Sequence, residues 1–141
     1  MKILVMGLPG SGKTTLAKPF ADLLDAAYFN GDQIRARYDD HDFSLAGREY
    51  QAERMKYLCD GALSITSHVV ADFICPTEKT REIFKPDFII WMDTIKESEY
   101  EDTNTFFERP NKVDYHVDSW FDDTHRQLVQ VVERFMRSKN V

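Results

Sequence analysis

The sequence of 141 residues has few cysteines, no excess of positive charge and no long apolar segment. Its two cysteines, Cys59 and Cys75, are too few and too differently placed for a disulfide framework or a zinc site, so we predict buried, reduced thiols. The formal net charge of -6 argues against nucleic-acid backbone binding as the main task. Because no run of about 18 apolar residues occurs and the N-terminus is itself a predicted strand, we expect no membrane contact, no cleavable signal and a cytoplasmic location.

The residues that are present are typical of one globular domain. Hydrophobic residues make up 43% of the chain and aromatic residues 13%, which is enough to form a core. The length suits one domain and is too short for two. We therefore predict a single domain over residues 1–141, as a monomer or a homodimer.

The first fifteen residues carry the most specific pattern in the chain. The segment from Gly7 to Thr14, GLPGSGKT, matches G-x-x-x-x-G-K-[ST] at every fixed position. An apolar run at 3–6 precedes it, and residues 14–24 follow with apolar side chains at helical spacing, at Leu16, Phe20, Leu23 and Leu24. The motif is therefore predicted to be a phosphate-binding loop (P-loop) between a strand and a helix.

This loop predicts binding of ATP and Mg²⁺. Glycines permit unusual dihedrals and a close approach of backbone N–H groups to phosphate, and the N-terminus of the following helix favours an anion. Lys13 should reach the β- and γ-phosphates, and the Thr14 hydroxyl should contact Mg²⁺. The predicted nucleotide-binding residues of the loop are Gly7, Leu8, Pro9, Gly10, Ser11, Gly12, Lys13, Thr14 and Thr15.

Strands and helices alternate along the rest of the chain. We predict strands at 26–30, 68–74, 88–93 and 113–117, and helices at 48–66, 76–84 and 118–138, with a polar loop at 38–47. This alternation indicates an α/β fold of the P-loop NTPase type, a three-layer sandwich with a parallel sheet of about five strands and helices on both faces.

Polar residues after the second predicted strand are candidates for binding the acceptor substrate. Asp32 and Arg35 follow its carboxyl end, where open α/β sheets bind ligands, although Asp32 could instead cap the next helix. Arg48 lies at the predicted start of the long helix, where an anionic ligand would offset its unfavourable interaction with the helix dipole.

A carboxylate that supports Mg²⁺ or accepts a proton is expected at the end of an apolar strand. Asp72 and Asp93 both occupy such positions, and we favour Asp72 on the expectation that its strand lies nearer the P-loop strand. The charged segment from about 95 to 111 is predicted to be a short lid or flap over ATP. Arg109 in it could contact the phosphates as an arginine finger, or could be a solvated loop residue.

Together these motifs resemble those of adenylylsulfate kinase (APS kinase), a family of P-loop enzymes that phosphorylate the ribose 3′-hydroxyl of adenosine 5′-phosphosulfate (APS) with MgATP. The resemblance spans most of the chain and implies that Asp32, Arg35 and Arg48 contact the acceptor nucleotide and that Phe73 stacks on its adenine. The matching segments are GLPGSGKTTLA at 7–17, NGDQIR at 30–35, FSLAGRE at 43–49, FICP at 73–76 and MDT at 92–94.

Several positions differ from the family pattern. The D-G-D of the family is Asn30-Gly31-Asp32, the aspartate before the substrate arginine is Gly47, and the serine before the stacking phenylalanine is Asp72. The family's long lid, with its R-D-P-K-G-L-Y stretch, is replaced by a compact segment. These differences place the acceptor, rather than the kinase framework, in question.

The sequence thus predicts a kinase that transfers the γ-phosphate of ATP to a small acceptor, first of all the 3′-hydroxyl of APS. Lys13, Asp32 and Asp72 are the predicted catalytic residues, and Thr14 with Asp72 the predicted metal site. The alternatives are a nucleoside, nucleotide or other small-molecule kinase, a nucleotide-dependent switch, and a pseudokinase. The lack of an N-K-x-D motif disfavours a G-protein-type switch, and the intact Lys13 and Thr14 disfavour a pseudokinase.

Overall fold

The computed structural model describes residues 1–119 and 124–139 and has the predicted alternation of strands and helices. Short apolar runs form the strands, and longer segments with apolar residues three or four apart form the main helices. In chain order the elements are β1 (Lys2–Gly7), α1 (Lys13–Leu24), β2 (Ala27–Asn30), α2 (Gly31–Arg37), α3 (Leu45–Ala62), β3 (Val69–Asp72), α4 (Glu78–Phe84), β4 (Phe88–Met92), α5 (Glu101–Phe106), β5 (Tyr115–Val117) and α6 (Thr124–Lys139).

The five strands form one parallel sheet with the order β2-β3-β1-β4-β5. β1, which leads into the P-loop, is therefore central, and β3 and β4 are its two neighbours. Since all strands run in the same direction, their carboxyl ends share one edge of the sheet. This edge is where open α/β sheets bind their ligands.

The core consists of two apolar clusters on opposite faces of the sheet. Alternate residues of β1 point to opposite sides, as expected for a strand. One cluster is completed by α1 and α6 and contains Phe20, and the other is completed by α2, α3 and α4 and contains Met55. The predicted three-layer α/β sandwich is confirmed.

Several helix boundaries differ from the predictions because capping side chains were misassigned. α3 begins at Leu45 rather than Arg48, since the Ser44 side chain accepts a hydrogen bond from the Gly47 amide. The N-cap of α4 is Thr77, which forms a capping box with Thr80, so the helix begins after the predicted Pro76. The cap of α2 is the Asn30 side chain, so the alternative that Asp32 caps this helix is wrong.

Other sequence predictions concern single apolar positions and the C-terminal helix. Of the apolar residues at helical spacing in α1, Leu23 is 52% exposed, whereas Phe20 is fully buried. The predicted start of the last helix at about 118, and the expected burial of Phe121, concern a stretch partly outside the described residues. Over the described ranges, no helix has the length and apolar character that crossing a membrane requires.

Candidate active site

A cavity of about 1130 Å³ opens at the carboxyl edge of the sheet. One end is formed by the P-loop and the start of α1, and the other by α2, the start of α3 and the segment between β4 and α5. Six of the nine predicted loop residues line it, namely Pro9, Gly10, Gly12, Lys13, Thr14 and Thr15. Gly7, Leu8 and Ser11 are buried and lie outside the lining.

The P-loop has the backbone geometry of an anion-binding site. Gly10 and Gly12 have φ of +85° and +91°, a region that residues with a Cβ rarely adopt. Gly12 is also the N-cap of α1 and has no side chain to bond the first-turn amides, which leaves them for a ligand. Among the described residues, the Ser11 hydroxyl is the one buried side-chain group without a hydrogen-bond partner. The two glycines with positive φ and the free first-turn amides fit a phosphate chain.

The Lys13 side chain is held over the P-loop by a backbone carbonyl of the loop. Its ammonium donates to the Leu8 carbonyl at 3.0 Å. Burial lowers the pKa of Lys13, and the nearby carboxylates of Asp72 and Asp32 oppose that shift. An ammonium has three donors, so phosphate oxygens can be bound without loss of the Leu8 contact.

Asp72 is the centre of a hydrogen-bond cluster beside Lys13. Its Oδ2 accepts from the Thr14 hydroxyl at 2.7 Å, the Tyr28 hydroxyl at 2.7 Å and the Asn30 amide at 3.1 Å. The sequence also predicts that the strand at 68–74 is buried apart from Asp72, and this is wrong, because Asp72 is only 2% exposed. Burial and the bond to Asp72 raise the pKa of Tyr28 to about 12, so Tyr28 keeps its proton at neutral pH. The carboxylate and the Thr14 hydroxyl are oxygen ligands of the kind that Mg²⁺ prefers.

Asp72 and Asp93 differ in whether they contact the P-loop threonine, and not in the position of their strands. β3 and β4 both adjoin β1, so the sequence argument from the nearer strand cannot separate the two residues. Asp72 contacts Thr14, whereas the Asp93 carboxylate lies 2.9 Å from His116 Nε2 and 3.7 Å from the Arg109 guanidinium. The structure therefore places Asp72, and not Asp93, beside the P-loop threonine.

Arg109 lies outside the cavity lining. In addition to its long contact with Asp93, its guanidinium lies 4.8 Å from the centroid of the Trp91 ring. The structure does not bring it together with the P-loop residues, and its proposed contact with ATP phosphates stays a prediction.

Asp32, Arg35, Arg48 and Phe73, the four residues predicted to contact an acceptor, line the part of the cavity that we call the acceptor end, and their contact with an acceptor stays a prediction. Arg35 donates to the Asp42 carbonyl at 3.0 Å and lies 3.2 Å from the Asp40 carboxylate. Burial lowers the pKa of Arg35, and Asp40 opposes that shift. Arg35 is therefore held by a hydrogen bond and an ion pair within the protein.

Arg48 connects α3 to the segment after β4. Its side chain is 4% exposed and donates from Nε to the Phe43 carbonyl at 2.9 Å and from Nη2 to the Thr103 hydroxyl at 2.8 Å. The Asp102 carboxylate lies 3.7 Å from Nη2. Burial lowers the pKa of Arg48, opposed by Asp102. Asp102 and Thr103 belong to α5, so Arg48 fixes that helix over the acceptor end.

Phe73 follows β3 and forms part of the cavity wall. It is 7% exposed, and its ring meets that of Phe84 edge to face with the centroids 5.2 Å apart. A Cβ on Gly31 would lie 2.6 Å from the Cβ of Phe73, so the close packing of α2 on this residue requires glycine. Phe73 thus lines the cavity from a packed position.

The segment predicted as a lid at about 95–111 contains α5 and is anchored at both ends. At its start the Thr94 hydroxyl donates to the Ser11 carbonyl at 2.7 Å, and near its end the Arg81 guanidinium donates to the Glu108 carbonyl at 2.6 Å. In between, the Asn104 side chain bonds the backbone of Ser98. The cavity residues it contributes are Ile95, Glu97, Ser98, Glu99, Tyr100, Asp102 and Thr103.

Tyr28 and the carboxylates of the 95–111 segment are not among the residues that the sequence predicts for the site. Tyr28 lies two residues before Asn30 on β2 and so on the same face of the strand, a periodicity that could have identified it. Glu97, Glu99 and Asp102 reach the cavity because Arg48 and Arg81 hold the segment, and no local pattern predicts that.

A P-loop, a threonine–carboxylate pair and a second binding region at one sheet edge are the features of a P-loop kinase, and the chain is a phosphotransferase of that class. More particularly, the family model described as adenylylsulphate kinase matches residues 1–116, and the chain belongs to that family. No curated protein matches the sequence.

Solved structures of several kinases share the fold. The APS kinase CysC of Mycobacterium tuberculosis, in complex with AMPPNP and APS, is 21% identical, with a TM-score of 0.75 over 94% of this chain and 96% of that one. A gluconokinase of Sinorhizobium meliloti is 14% identical, with a TM-score of 0.68 over 99% and 95% of the two chains. A shikimate kinase of Aquifex aeolicus is 14% identical, with a TM-score of 0.68 over 94% and 96%. At these identities the likeness shows the fold.

Proposed function

We propose that the protein transfers the γ-phosphate of MgATP to a hydroxyl group of a small acceptor, and that this acceptor is the 3′-hydroxyl of APS. The observation that carries the proposal is that the Thr14–Asp72 pair lines the same cavity as the P-loop. Asp32, Arg35 and Arg48 also line this cavity. Membership of the adenylylsulphate kinase family supports the choice of APS. So does the M. tuberculosis enzyme of similar fold, whose structure contains an ATP analogue and APS.

In this reaction the protein acts by positioning and by charge neutralisation. The free amides at the start of α1 and the Lys13 ammonium would bind the phosphate chain and stabilise charge on the transferred group. Thr14 and Asp72 fit Mg²⁺, which would neutralise phosphate charge when bound. Asp32 or Asp72 would orient or deprotonate the acceptor hydroxyl, and both line the cavity.

The acceptor would be bound at the end of the cavity that α2, α3 and α5 form. Arg35 and Arg48 would contact its anionic group, and Phe73 its base. Arg35 has N–H groups beyond Nη1 for this purpose, and Arg48 has Nη1, because their hydrogen bonds within the described chain use other atoms. The positions of these side chains are fixed by packed elements, which favours precise orientation of a substrate.

A second candidate is a kinase on the same fold that phosphorylates a less anionic hydroxyl compound. Besides Asp72, the cavity is lined by four carboxylates, those of Asp32, Glu97, Glu99 and Asp102, and by two arginines. Both arginines lie beside carboxylates of the protein already. Like charges would oppose the binding of a sulfated nucleotide, so this charge distribution favours a nucleoside, sugar or other small hydroxyl compound.

The experiment is a mass-spectrometric assay of purified protein with MgATP and APS, beside a panel of nucleosides, nucleotides and small alcohols. We expect formation of 3′-phospho-APS at about 1 to 100 per second, the ordinary range for kinases. Lys13→Ala should fold normally and lose about 100-fold or more of that rate, because one preorganised donor to the transferred group is removed.

Two outcomes would change the proposal. A phosphorylated product from another member of the panel, with none from APS, would assign the second candidate. Near-normal transfer by Lys13→Ala, or no transfer to any acceptor by the wild type, would contradict phosphoryl transfer at this site.

A further inference from the structure

We infer that Tyr28 is a positioning residue that acts through Asp72 on the Thr14 site. The inference rests on the proposed function, since it concerns the same nucleotide and Mg²⁺ site, and it adds a residue of β2 that lies outside the cavity lining.

The two carboxylate oxygens of Asp72 have different contacts. Oδ2 accepts all three hydrogen bonds, from Thr14, Tyr28 and Asn30. In the described part of the chain no donor contacts Oδ1, and Oδ1 is not among the buried atoms that lack a partner. Asp72 lines the cavity, so Oδ1 is the oxygen accessible to a ligand there. The donors on Oδ2 therefore fix the direction in which Oδ1 points.

Two of the donors to Asp72 Oδ2, Tyr28 and Asn30, belong to the strand β2, which is held rigidly in the sheet. Tyr28 and Asn30 lie on the same face of β2, which pairs with β3 in parallel register, Tyr28 opposite Val70 and Asn30 opposite Asp72. The Tyr28 side chain also packs against the core cluster that α1 completes. Groups held by strands and by core packing keep a more exact position than groups on loops.

Tyr28 lies outside the cavity lining, and its hydroxyl donates to Asp72 Oδ2 at 2.7 Å. Thr14 donates its own hydroxyl proton to the same oxygen and accepts from the Asn30 amide at 3.1 Å, which leaves one Thr14 lone pair for a ligand. The chain of contacts from Tyr28 through Asp72 to Thr14 can thus orient both oxygen ligands predicted for Mg²⁺.

The variant that tests this is Tyr28→Phe, which removes the hydroxyl and keeps the ring. Its matched control is Tyr115→Phe, since Tyr115 packs partly buried against the same cluster and its hydroxyl has no hydrogen bond among the described residues. The measurements are the melting temperature, binding of the ATP analogue AMPPNP with and without Mg²⁺, and kcat and KM for the acceptor.

We expect Tyr28→Phe to weaken Mg²⁺-dependent AMPPNP binding about 10-fold and to lower kcat by about the same factor, because a hydrogen bond to a charged group is lost. Binding without Mg²⁺ and the acceptor KM should stay within about twofold. Tyr115→Phe should leave all of these unchanged. In an Asp72→Asn background, Tyr28→Phe should have no further effect on Mg²⁺-dependent binding, since Tyr28 acts through the carboxylate.

Equal losses of Mg²⁺-dependent binding in Tyr28→Phe and Tyr115→Phe, in step with the melting temperature, would mean a structural role and overturn the inference. So would a full Tyr28→Phe effect in the Asp72→Asn background. If the wild type phosphorylates no acceptor, the proposed function fails, and the AMPPNP comparison still decides the role of Tyr28.

Discussion

Gly47 illustrates how a single residue is explained by its surroundings. The family pattern has an aspartate here, but a Cβ on Gly47 would lie 2.3 Å from the Asp42 carbonyl oxygen and 2.6 Å from Asp42 Oδ1. The Asp42 carboxylate accepts from the Ser44 amide and hydroxyl and so folds the loop onto the start of α3. Glycine is therefore required by the loop, and the space that a side chain at this position would take is filled by Asp42.

The two cysteines give a prediction about pH and stability. Burial raises the pKa of the Cys59 and Cys75 thiols to about 12 from an ordinary value of 9.0. In the unfolded chain these thiols ionise near pH 9, whereas the folded protein keeps both protons up to about pH 12. The folded state therefore binds more protons across that window, and the free energy of unfolding should fall as pH rises from 9 towards 12, by up to about 1.4 kcal/mol per pH unit for each thiol.

The measurement is urea unfolding at pH 8, 9 and 10, with a Cys59→Ala/Cys75→Ala variant as the control. Lys13 changes stability in the opposite direction, because burial lowers its pKa, so the informative quantity is the difference between the two proteins. That difference should shrink as pH rises. A constant difference across the range would mean that the thiols ionise equally in both states.

At the scale of elements, the sequence predicts the helices and strands that have strong local signals. The P-loop, α1, the central strands and the parallel order follow from one motif and from apolar periodicity. The N-caps Ser44 and Thr77 differ from the predicted helix starts although both are good capping residues, because the sequence favours a polar loop up to Gly47 and a helix that begins at Pro76.

The segment at 95–111 could not be predicted in the same way. α5 has six residues, and its position depends on Arg48 contacting Thr103, 55 residues away in sequence. The partners of Arg35 and Arg48, Asp40 and Asp102, likewise follow from the fold. The sequence named the arginines of the candidate acceptor site, but the carboxylates that accompany them required the tertiary structure.

α5 gives a prediction about the acceptor. Asp102 lies 3.7 Å from Arg48 and would compete with an anionic acceptor for that guanidinium. Asp102→Asn should therefore lower the acceptor KM about two- to fivefold with kcat unchanged, a small effect because Asp102 is 60% exposed and its charge is screened. The control is Glu101→Gln, which removes a neighbouring exposed charge of the same helix outside the cavity lining. Steady-state kinetics with the acceptor found in the panel would measure both.

The sign of the change distinguishes the two candidate acceptors. An unchanged KM for Asp102→Asn would indicate that the acceptor has no anionic group at Arg48. A raised KM would mean that Asp102 itself binds the acceptor, for example by accepting a hydrogen bond from a hydroxyl group.

At the scale of the whole molecule, the candidate site depends on both faces of one sheet. The P-loop leads into α1, which packs on one face, whereas the acceptor end is built on α2 and α3, which pack on the other. The central strand β1 contributes buried residues to both clusters. A change in either cluster should therefore affect the entire chain and not one half of the cavity.

This gives a prediction about cooperativity. Phe20→Ala on the α1 face should lower the free energy of unfolding by about 3–5 kcal/mol, and Met55→Ala on the α3 face by about 2–5 kcal/mol, since both side chains are fully buried.

Trp91 packs in the cluster that contains Met55, so a Trp120→Phe background makes its fluorescence report on that face alone. If the chain is one domain, Phe20→Ala will shift the Trp91 urea transition as far as the far-UV circular dichroism transition, with the m-value unchanged. A Trp91 transition that stays in place while circular dichroism shifts would mean that the two faces unfold separately, and the site would then join two units rather than lie within one.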